Sequence, residues 1–325
     1  MIRNQWYAVL DSKELKKGQV LGVTRLSEKL VFWRDKQGAI GCAYDRCVHR
    51  GAALSKGKVL SNNKLQCPFH GFEYDTTGRV TKIPAIGQDT PVPERFAITA
   101  YPAKEAHGFI WIWWGDHRED YPKIPFFDDI DEDLVYNTFQ DHWPVHYSRA
   151  IENQLDLVHL PFVHENTIGR GCKTVVDGPI VELSDNELTF WVHNRKDDGK
   201  PPRKADELSK KDSKIYLKFH FPNIWQNHLG DKFLIFAAFA PVDEENTVLY
   251  LRLYQKIIRV PILRKIIGKI GNFFNKKVLL QDKNVVISQR PKKTQLHMNE
   301  ELIRGDLPII KYRQKRAELL EENNN

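Results

Sequence analysis

Cys47-Val48-His49-Arg50-Gly51 is answered further along the chain by Cys67-Pro68-Phe69-His70-Gly71. Each stretch offers one thiolate and one imidazole, and a glycine follows each histidine. Structural zinc sites more often take two cysteines from one segment and two histidines from another. Here the donors are split evenly between two loops. That split suits a centre of two chemically different metals, with both thiolates on one and both imidazoles on the other. A lone Cys-x-x-His says little; two complementary halves say much more. The glycines allow tight turns whose backbone N–H groups can face sulfur. The competing reading is a mononuclear zinc site in an interaction module.

The flanking sequence is β-rich. Leu30-Val31-Phe32-Trp33, Ala39 to Tyr44 and Gly108 to Trp114 are short runs of branched and aromatic residues, bounded by glycine or charged turns. They predict a small antiparallel β domain ending near Asp116. The Pro- and Asp-rich stretch from Tyr121 to Asp133 reads as a linker. Two domains are therefore expected, over 1–117 and 118–325.

A second constellation lies in Asn153-Gln154-Leu155-Asp156-Leu157-Val158-His159-Leu160-Pro161-Phe162-Val163-His164. A helix from His146 to His159 would put Asn153, Asp156 and His159 on one face. Pro161 ends that helix and lets His164 turn back toward His159. Two histidines and one carboxylate with open positions make the facial triad of non-haem Fe(II) oxygenases. The carboxylate expected to complete it is Asp282, in Leu279-Leu280-Gln281-Asp282, after an apolar pair on a helix. Asp231, Asp243 and Asp306 sit in turn-like settings that suit solvent. Asp156, on the face of His159, is expected to orient that ring. His107, between a charged turn and a strand, reads as structural or exposed; His142 and His146 lie just before the site helix and are not expected to be ligands; His193, His220, His228 and His297 lack ligand spacing, and Cys42 and Cys172 read as bystanders.

Strands are expected at Ile180–Leu183, Glu187–Val192, Ile215–Phe221, Lys232–Ala240 and Thr247–Gln255, with an exposed loop over Arg195 to Lys214. Ile257 to Gln289 reads as helical with breaks at Pro261 and the two glycines, and a charged helix closes the chain.

Composition narrows the function classes. Apolar residues make up 41% and aromatic residues 11% of 325, enough for real cores. The net charge of +7 comes from 49 basic and 42 acidic residues mixed along the chain, which reads as a solvated surface. No recognition-helix or zinc-finger pattern points to nucleic acid. Met1 to Ala8 lacks the apolar stretch and cleavage site of a signal peptide. No apolar run is long enough to span a bilayer, and the basic Ile257–Lys277 stretch reads as scaffold rather than membrane contact. A soluble, cytoplasmic protein is expected, with cysteines as ligands or free thiols.

The first constellation has the ligation of a Rieske [2Fe–2S] centre, where neutral histidines raise the potential to about −150 to +300 mV. Cys47-x-His49-Arg50-Gly51 and Cys67-Pro68-Phe69-His70-Gly71-Phe72-x-Tyr74 resemble the Rieske domain of aromatic-ring-hydroxylating and related oxygenases. That family usually has Pro where Val48 stands and often Trp where Phe72 stands; neither change removes a ligand. The second constellation and the Gln281-Asp282-x-x-Val285 segment are similar to the same family, as is the opening Asn4-x-Trp6-Tyr7.

The resemblance implies an α+β protein: an N-terminal antiparallel β Rieske domain, then a catalytic domain of helices around an antiparallel sheet. It implies a cluster on Cys47, His49, Cys67 and His70, and a mononuclear Fe(II) on His159, His164 and Asp282. It also implies O₂ as cosubstrate, a small organic substrate, and electrons from NAD(P)H through a ferredoxin or flavin reductase. A chain of this length resembles the compact homotrimeric members, which favours monooxygenation or demethylation over cis-dihydroxylation. In such trimers one subunit's cluster serves its neighbour's iron. Asp156 matches the bridging position, between His159 and the partner subunit's His70. A non-catalytic Rieske electron carrier would need only the first third of the chain.

Overall fold

The computed structural model describes residues 1–87, 89–130, 134–230, 233–256 and 261–322, with backbone alone for 261–273. The chain forms two compact units. One holds Arg3–Ile124 with Pro241–Asp243; the other holds Met1–Ile2, Pro125–Ala240 and Glu244–Asn325.

The first unit is built from short strands. β1 (Gln5–Asp11), β9 (Ala103–Ala106) and β10 (Phe109–Trp114) form one sheet, in the order β1-β10-β9. β2 (Val20–Arg25), β3 (Glu28–Arg34) and β4 (Ile40–Tyr44) form a second. β5 (Lys58–Val59), β6 (Leu65–Gln66), β7 (Glu73–Tyr74) and β8 (Val80–Lys82) form a third. The register Ala106↔Phe109 leaves His107 and Gly108 as a two-residue turn, both with positive φ. Turns of that twist suit antiparallel hairpins, so His107 is a turn residue. Cys47 and Cys67 are part of a core that also holds Val31, Trp33, Leu65 and Tyr74.

The second unit is centred on a seven-stranded sheet. Its strands are β11 (Val135–Trp143), β13 (Ile180–Ser184), β14 (Glu187–Trp191), β16 (Tyr216–His220), β17 (Ile224–His228), β18 (Phe233–Pro241) and β19 (Thr247–Gln255), in the order β11-β19-β18-β17-β16-β14-β13. The small strands β12 (Val175–Val176) and β15 (Asn194–Arg195) pair separately. The helices are α1 (Tyr147–Leu155), α2 (Leu160–Val163), α3 (Pro261–Val286) and α4 (Leu307–Glu321). Arg313 of α4 meets Glu152 of α1 through two hydrogen bonds of 2.8 Å, both side chains 5% exposed. A buried two-toothed pair of this kind fixes α1, and with it the residues that follow Glu152.

Two expectations need correction, and one strand is new. The helix expected to run to His159 stops at Leu155. A helix continued through Pro161 would set the proline ring against the carbonyl of Leu157. The chain leaves the helix earlier still, at Asp156, whose carboxylate takes the N–H groups of Val158 and His159, and Pro161 opens the new turn α2 rather than closing the old one. The breaks expected at the two glycines are absent: α3 begins at Pro261 and runs unbroken through Gly268 and Gly271. Glycine costs a helix about 1 kcal/mol relative to alanine, which the burial of Leu279, Asp282 and Val286 on one face can outweigh. Residues 257–260 of the expected helix lie outside the described residues, as do Asp131–Asp133 of the expected linker and Lys232 of the expected strand. β11 was not anticipated, because Asn137, Gln140, Asp141 and His142 obscure any period-two pattern in an edge strand.

Candidate metal centres

The two Cys/His loops share one backbone design. In the first, Cys47 N–H donates to Ala52 O at 2.8 Å, and Gly51 N–H returns to Cys47 O at 2.9 Å. In the second, Cys67 N–H donates to Phe72 O at 2.8 Å, and Gly71 N–H returns to Cys67 O at 3.2 Å. Gly51 and Gly71 both have φ of +73°, where other residues are strained. The cysteines are buried and unpaired with each other, and the histidines stand at the rim. His49 Nδ1 and His70 Nδ1 face each other at 3.1 Å, so both rings aim one nitrogen at a common point. Phe72 stacks on His49 at 4.9 Å and an interplanar angle of 5°, which holds that ring.

Burial pushes the Cys67 thiol up, opposed by the backbone N–H groups of Phe69 and His70 that point at its sulfur. Desolvation, His49 and Arg50 push His70 down, toward the neutral ring a metal takes. Tyr74 places its hydroxyl 3.1 Å from Cys47 Sγ and accepts the Val48 N–H at 3.1 Å. The donor set fits a two-metal cluster: two buried sulfurs, two converging imidazoles, and N–H and O–H groups directed at sulfur.

In the second unit, His159, His164 and Asp282 come together, with one potential ligand atom from each all within 4.8 Å of one another. His164 Nε2 lies 2.9 Å and His159 Nε2 3.4 Å from Asp282 Oδ1. Ligand atoms at about 2.1 Å from one metal stand roughly 3 Å apart when they are neighbours in its coordination shell. Asp282 Oδ1 is buried and has no hydrogen-bond partner. The far nitrogen of His164 is held as a metal-binding histidine requires, and that of His159 lies beside a carboxylate. His164 Nδ1–H donates to Gln281 Oε1 at 3.2 Å, and Thr167 Oγ1 donates to the same oxygen at 2.8 Å. His159 Nδ1 is 3.6 Å from Asp156 Oδ2.

Burial disfavours a charged His159 ring, yet Asp156 and Asp282 outweigh it and raise the imidazole to about 9. Burial pushes Asp282 up, but His159 and His164 hold it below the usual carboxylate value. Two carboxylates that recruit a proton onto the ring between them make a site that also suits a dication.

Asp156 reaches His159 by a different route from the expected helix face. As C-cap of α1 its backbone is extended, and Oδ1 accepts the N–H groups of Val158 at 2.6 Å and His159 at 3.2 Å. Asp favours such local bonds over helix continuation. Oδ2 is left beside His159, on a side chain 28% exposed. Asp243, Asp306 and the other histidines lie outside the converging group among the described residues. Asp231 lies outside the described residues. His146 is buried and caps α1 by accepting Ser148 N–H. Cys42 is buried and Cys172 exposed.

His159, His164 and Asp282 close one end of a cavity of about 240 Å³. Its walls are mostly apolar, with Leu217, Ile235 and Leu251 from the sheet and Val278 and Leu279 from α3. Asn275, Val278, Leu279 and Asp282 recur at helical spacing, so one face of α3 lines the cavity. Reading the sequence missed Gln281, although it stands beside Asp282. Asn153, expected on the face of Asp156 and His159, lines the cavity, as do Trp225 and Asn227 of β17.

A fold with a cluster-type β unit and a facial-triad site beside an apolar cavity defines a class of two-centre iron oxygenases. Comparison with known proteins narrows it. Residues 5–102 match the Rieske [2Fe–2S] domain, and residues 143–322 match the vanillate O-demethylase oxygenase C-terminal domain. The chain belongs to the Rieske non-haem iron oxygenase family, whose cofactors are a Rieske cluster and a mononuclear iron. The chain is 28% identical to methylxanthine N1-demethylase NdmA of Pseudomonas putida, over 98% of this chain and 90% of that one. It is 36% identical to chlorophyllide a oxygenase of Chlamydomonas reinhardtii, over 52% of this chain and 26% of that protein. It spans between 26% and 39% of the length of the first curated relatives it matches. The solved structure of Pseudomonas putida CBB5 NdmA superposes with a TM-score of 0.81 at 26% identity, covering 98% of this chain and 91% of that one. No helix among the described residues is long and apolar enough to cross a membrane.

Proposed function

We propose that this chain is the terminal oxygenase component of a Rieske system that hydroxylates or oxidatively demethylates a small cyclic organic substrate. The observation that carries this reading is the convergence of His159, His164 and Asp282 at the end of an apolar cavity. Cys47, His49, Cys67 and His70 are the proposed cluster ligands, in a domain over 1–117. His159, His164 and Asp282 are the proposed ligands of the mononuclear iron, in a domain over 118–325. The bound iron supplies O₂ activation, with electrons that enter through the cluster.

The protein's own residues do the rest. Gln281 keeps the proton of His164 on Nδ1, so Nε2 is free to ligate. The Asp156 carboxylate, 3.6 Å from His159 Nδ1, favours a proton on that nitrogen by its charge. The apolar walls orient the substrate and keep water from the reacting carbon. A relative from Comamonas testosteroni, 28% identical over 59% of this chain, is the iron-sulfur subunit of a toluene-4-sulfonate monooxygenase system. That supports electron delivery by a separate NAD(P)H-dependent reductase or ferredoxin. A cytoplasmic homotrimer completes the proposal.

The test is purified protein with an NAD(P)H-driven reductase and a panel of O-methyl and N-methyl ring compounds. About three irons per chain, a Rieske EPR signal and O₂-dependent formaldehyde release are expected. About two irons without O₂ uptake would make it an electron carrier, and a cis-diol product would make it a dioxygenase.

A further inference from the structure

Three side chains that line the cavity are also open to solvent. Ile168 is 54% exposed, Leu229 43% and Ile215 40%. They are the exposed residues of the lining among those described, so they form its mouth. A single exposed aliphatic residue is ordinary. Three at one mouth, continuous with apolar walls, form a patch of the kind that marks a binding surface.

Their positions follow from the sheet and from one turn. Val192 N–H donates to Ile215 O at 3.2 Å, which carries the β14–β16 pairing on to Ile215. Leu229 N–H donates to Phe233 O at 3.2 Å, which carries the β17–β18 pairing on to Leu229. Tyr216 pairs with His228, so Ile215 and Leu229 stand side by side on neighbouring strands. Each lies two residues from a cavity-lining residue of its own strand, Leu217 or Asn227, and shares that face of the sheet. Ile168 comes from the turn after α2. The Thr167 and Gly169 N–H groups both donate to His164 O, at 2.8 and 2.9 Å. A Cβ on Gly169 would lie 1.9 Å from Leu160 O, so only glycine lets this turn close so tightly. Ile168, between the two, is held in place by that turn.

Size and charge limit what the mouth meets. The cavity of about 240 Å³ is smaller than the roughly 300 to 1,000 Å³ of most small-molecule sites. A substrate larger than one ring with small substituents therefore leaves part of itself against Ile168, Ile215 and Leu229. A hydrocarbon group gains contact there, whereas an ionised group loses water and meets only carbon. Deeper in, no lysine or arginine lines the cavity among the described residues, and Asp156 and Asp282 offset the charge of a bound Fe(II).

We propose that Ile168, Ile215 and Leu229 are specificity-determining residues. They favour a ring substrate whose outward end is an uncharged hydrocarbon group over an aromatic acid. The inference rests on the oxygenase reading for what happens to the substrate, but not for its binding.

The experiment is calorimetric titration of the iron-loaded protein under nitrogen, so that nothing turns over. The probes are anisole, 4-propylanisole and 4-methoxybenzoate. Opposite the methoxy group they carry nothing, a hydrocarbon tail and a carboxylate. A fully buried methylene strengthens binding about fourfold, so 4-propylanisole is expected to bind at least about tenfold tighter than anisole. 4-Methoxybenzoate is expected to bind more weakly than anisole. Leu229→Ser and Ile168→Ser should each cut the gain from the propyl group at least about threefold and leave anisole unchanged. Exposed positions tolerate polar replacement, and the cluster spectrum and iron content report whether each variant is folded. Either variant carries the test if the other does not fold.

4-Methoxybenzoate binding as tightly as 4-propylanisole would overturn the inference. So would a propyl gain unchanged in both serine variants, or no binding of either neutral probe. A serine variant that changes the size of the assembly would also overturn it, because another copy of the chain would then cover the patch. The two readings fail separately. Mouth-dependent binding in a protein that consumes no O₂ with any bound probe would sustain this inference and sink the oxygenase reading. O₂-dependent oxidation of ring compounds whose binding is indifferent to both substitutions would do the reverse.

Discussion

The two candidate metal centres solve the same problem with opposite use of the chain. The cluster loops lie close together in sequence, and each is closed by its own pair of backbone hydrogen bonds and its own glycine. The mononuclear site joins His159 and His164, which flank the single turn α2, to Asp282 on the distant helix α3. A centre held by local turns is exposed at its rim and needs little support beyond its own loops. A centre assembled across elements depends on what fixes those elements, here the Glu152–Arg313 pair and the face of α3 that lines the cavity. Damage to one centre should therefore leave the other intact.

The largest expected effect comes from Cys47→Ser. Loss of one thiolate should abolish the Rieske EPR signal and reduce iron from about three to about one per chain. The mononuclear iron should stay, because its ligands belong to the other unit. A retained Rieske signal would remove Cys47 from the ligand set, and loss of all iron would break the claimed independence.

Asp282→Ala tests the same independence from the other side. The cluster spectrum should be unchanged, iron should fall to about two per chain, and turnover should vanish. The two histidines alone lack the charge that draws in a dication. Normal iron occupancy in this variant would move the carboxylate ligand elsewhere.

This contrast also explains what was legible in the sequence. The cluster loops could be read because all four donors and both glycines fall in two short segments. Asp282 could be read only through its neighbours, an apolar pair before it and a helical context around it. The path from α1 to α2 was misread. Asp156 and His159 do meet, but the Asp156 carboxylate takes the Val158 and His159 N–H groups and ends the helix one turn before spacing alone suggests. The run of helix across Gly268 and Gly271 was misread for a related reason, since tertiary burial overrides local propensity. Asn153 was legible in the motif it shares with Asp156 and His159, whereas the place of Trp225 and Asn227 beside the cavity follows only from the sheet that carries them.

A smaller effect is expected from Asp156→Asn, at the residue proposed to act on His159. The change removes charge at nearly constant shape. The amide oxygen can still accept from Val158 and His159 N–H, so the turn should survive. Both metals and a normal cluster spectrum should be retained, while turnover falls roughly 10- to 100-fold. If the homotrimer passes electrons between subunits, Asp156→Asn mixed with Cys47→Ser should regain activity after subunit exchange. A Cys47→Ser chain keeps its own Asp156 and can draw on its neighbour's cluster. No gain despite proven exchange would reject the between-subunit route.

The smallest effect is the most local, and it concerns Tyr74. Its hydroxyl oxygen accepts the Val48 N–H, which leaves the phenolic hydrogen free to point at Cys47 Sγ, 3.1 Å away. Burial and the neighbouring Cys47 hold the phenol well above its usual range, so it remains a donor at any working pH. A donor to cluster sulfur stabilises the reduced, more negative state more than the oxidised one, and so raises the potential. Tyr74→Phe keeps the buried ring and removes only that donor. A net hydrogen bond contributes about 1 kcal/mol, which for a one-electron couple lowers the potential by on the order of 50 mV. Cluster content and mononuclear iron should be unchanged, because neither a ligand nor a loop-closing bond is lost. A redox titration followed by circular dichroism reads the shift directly. An unchanged or raised potential would mean that the hydroxyl serves the Val48 backbone alone, and that the cluster loops set their potential without help from β7.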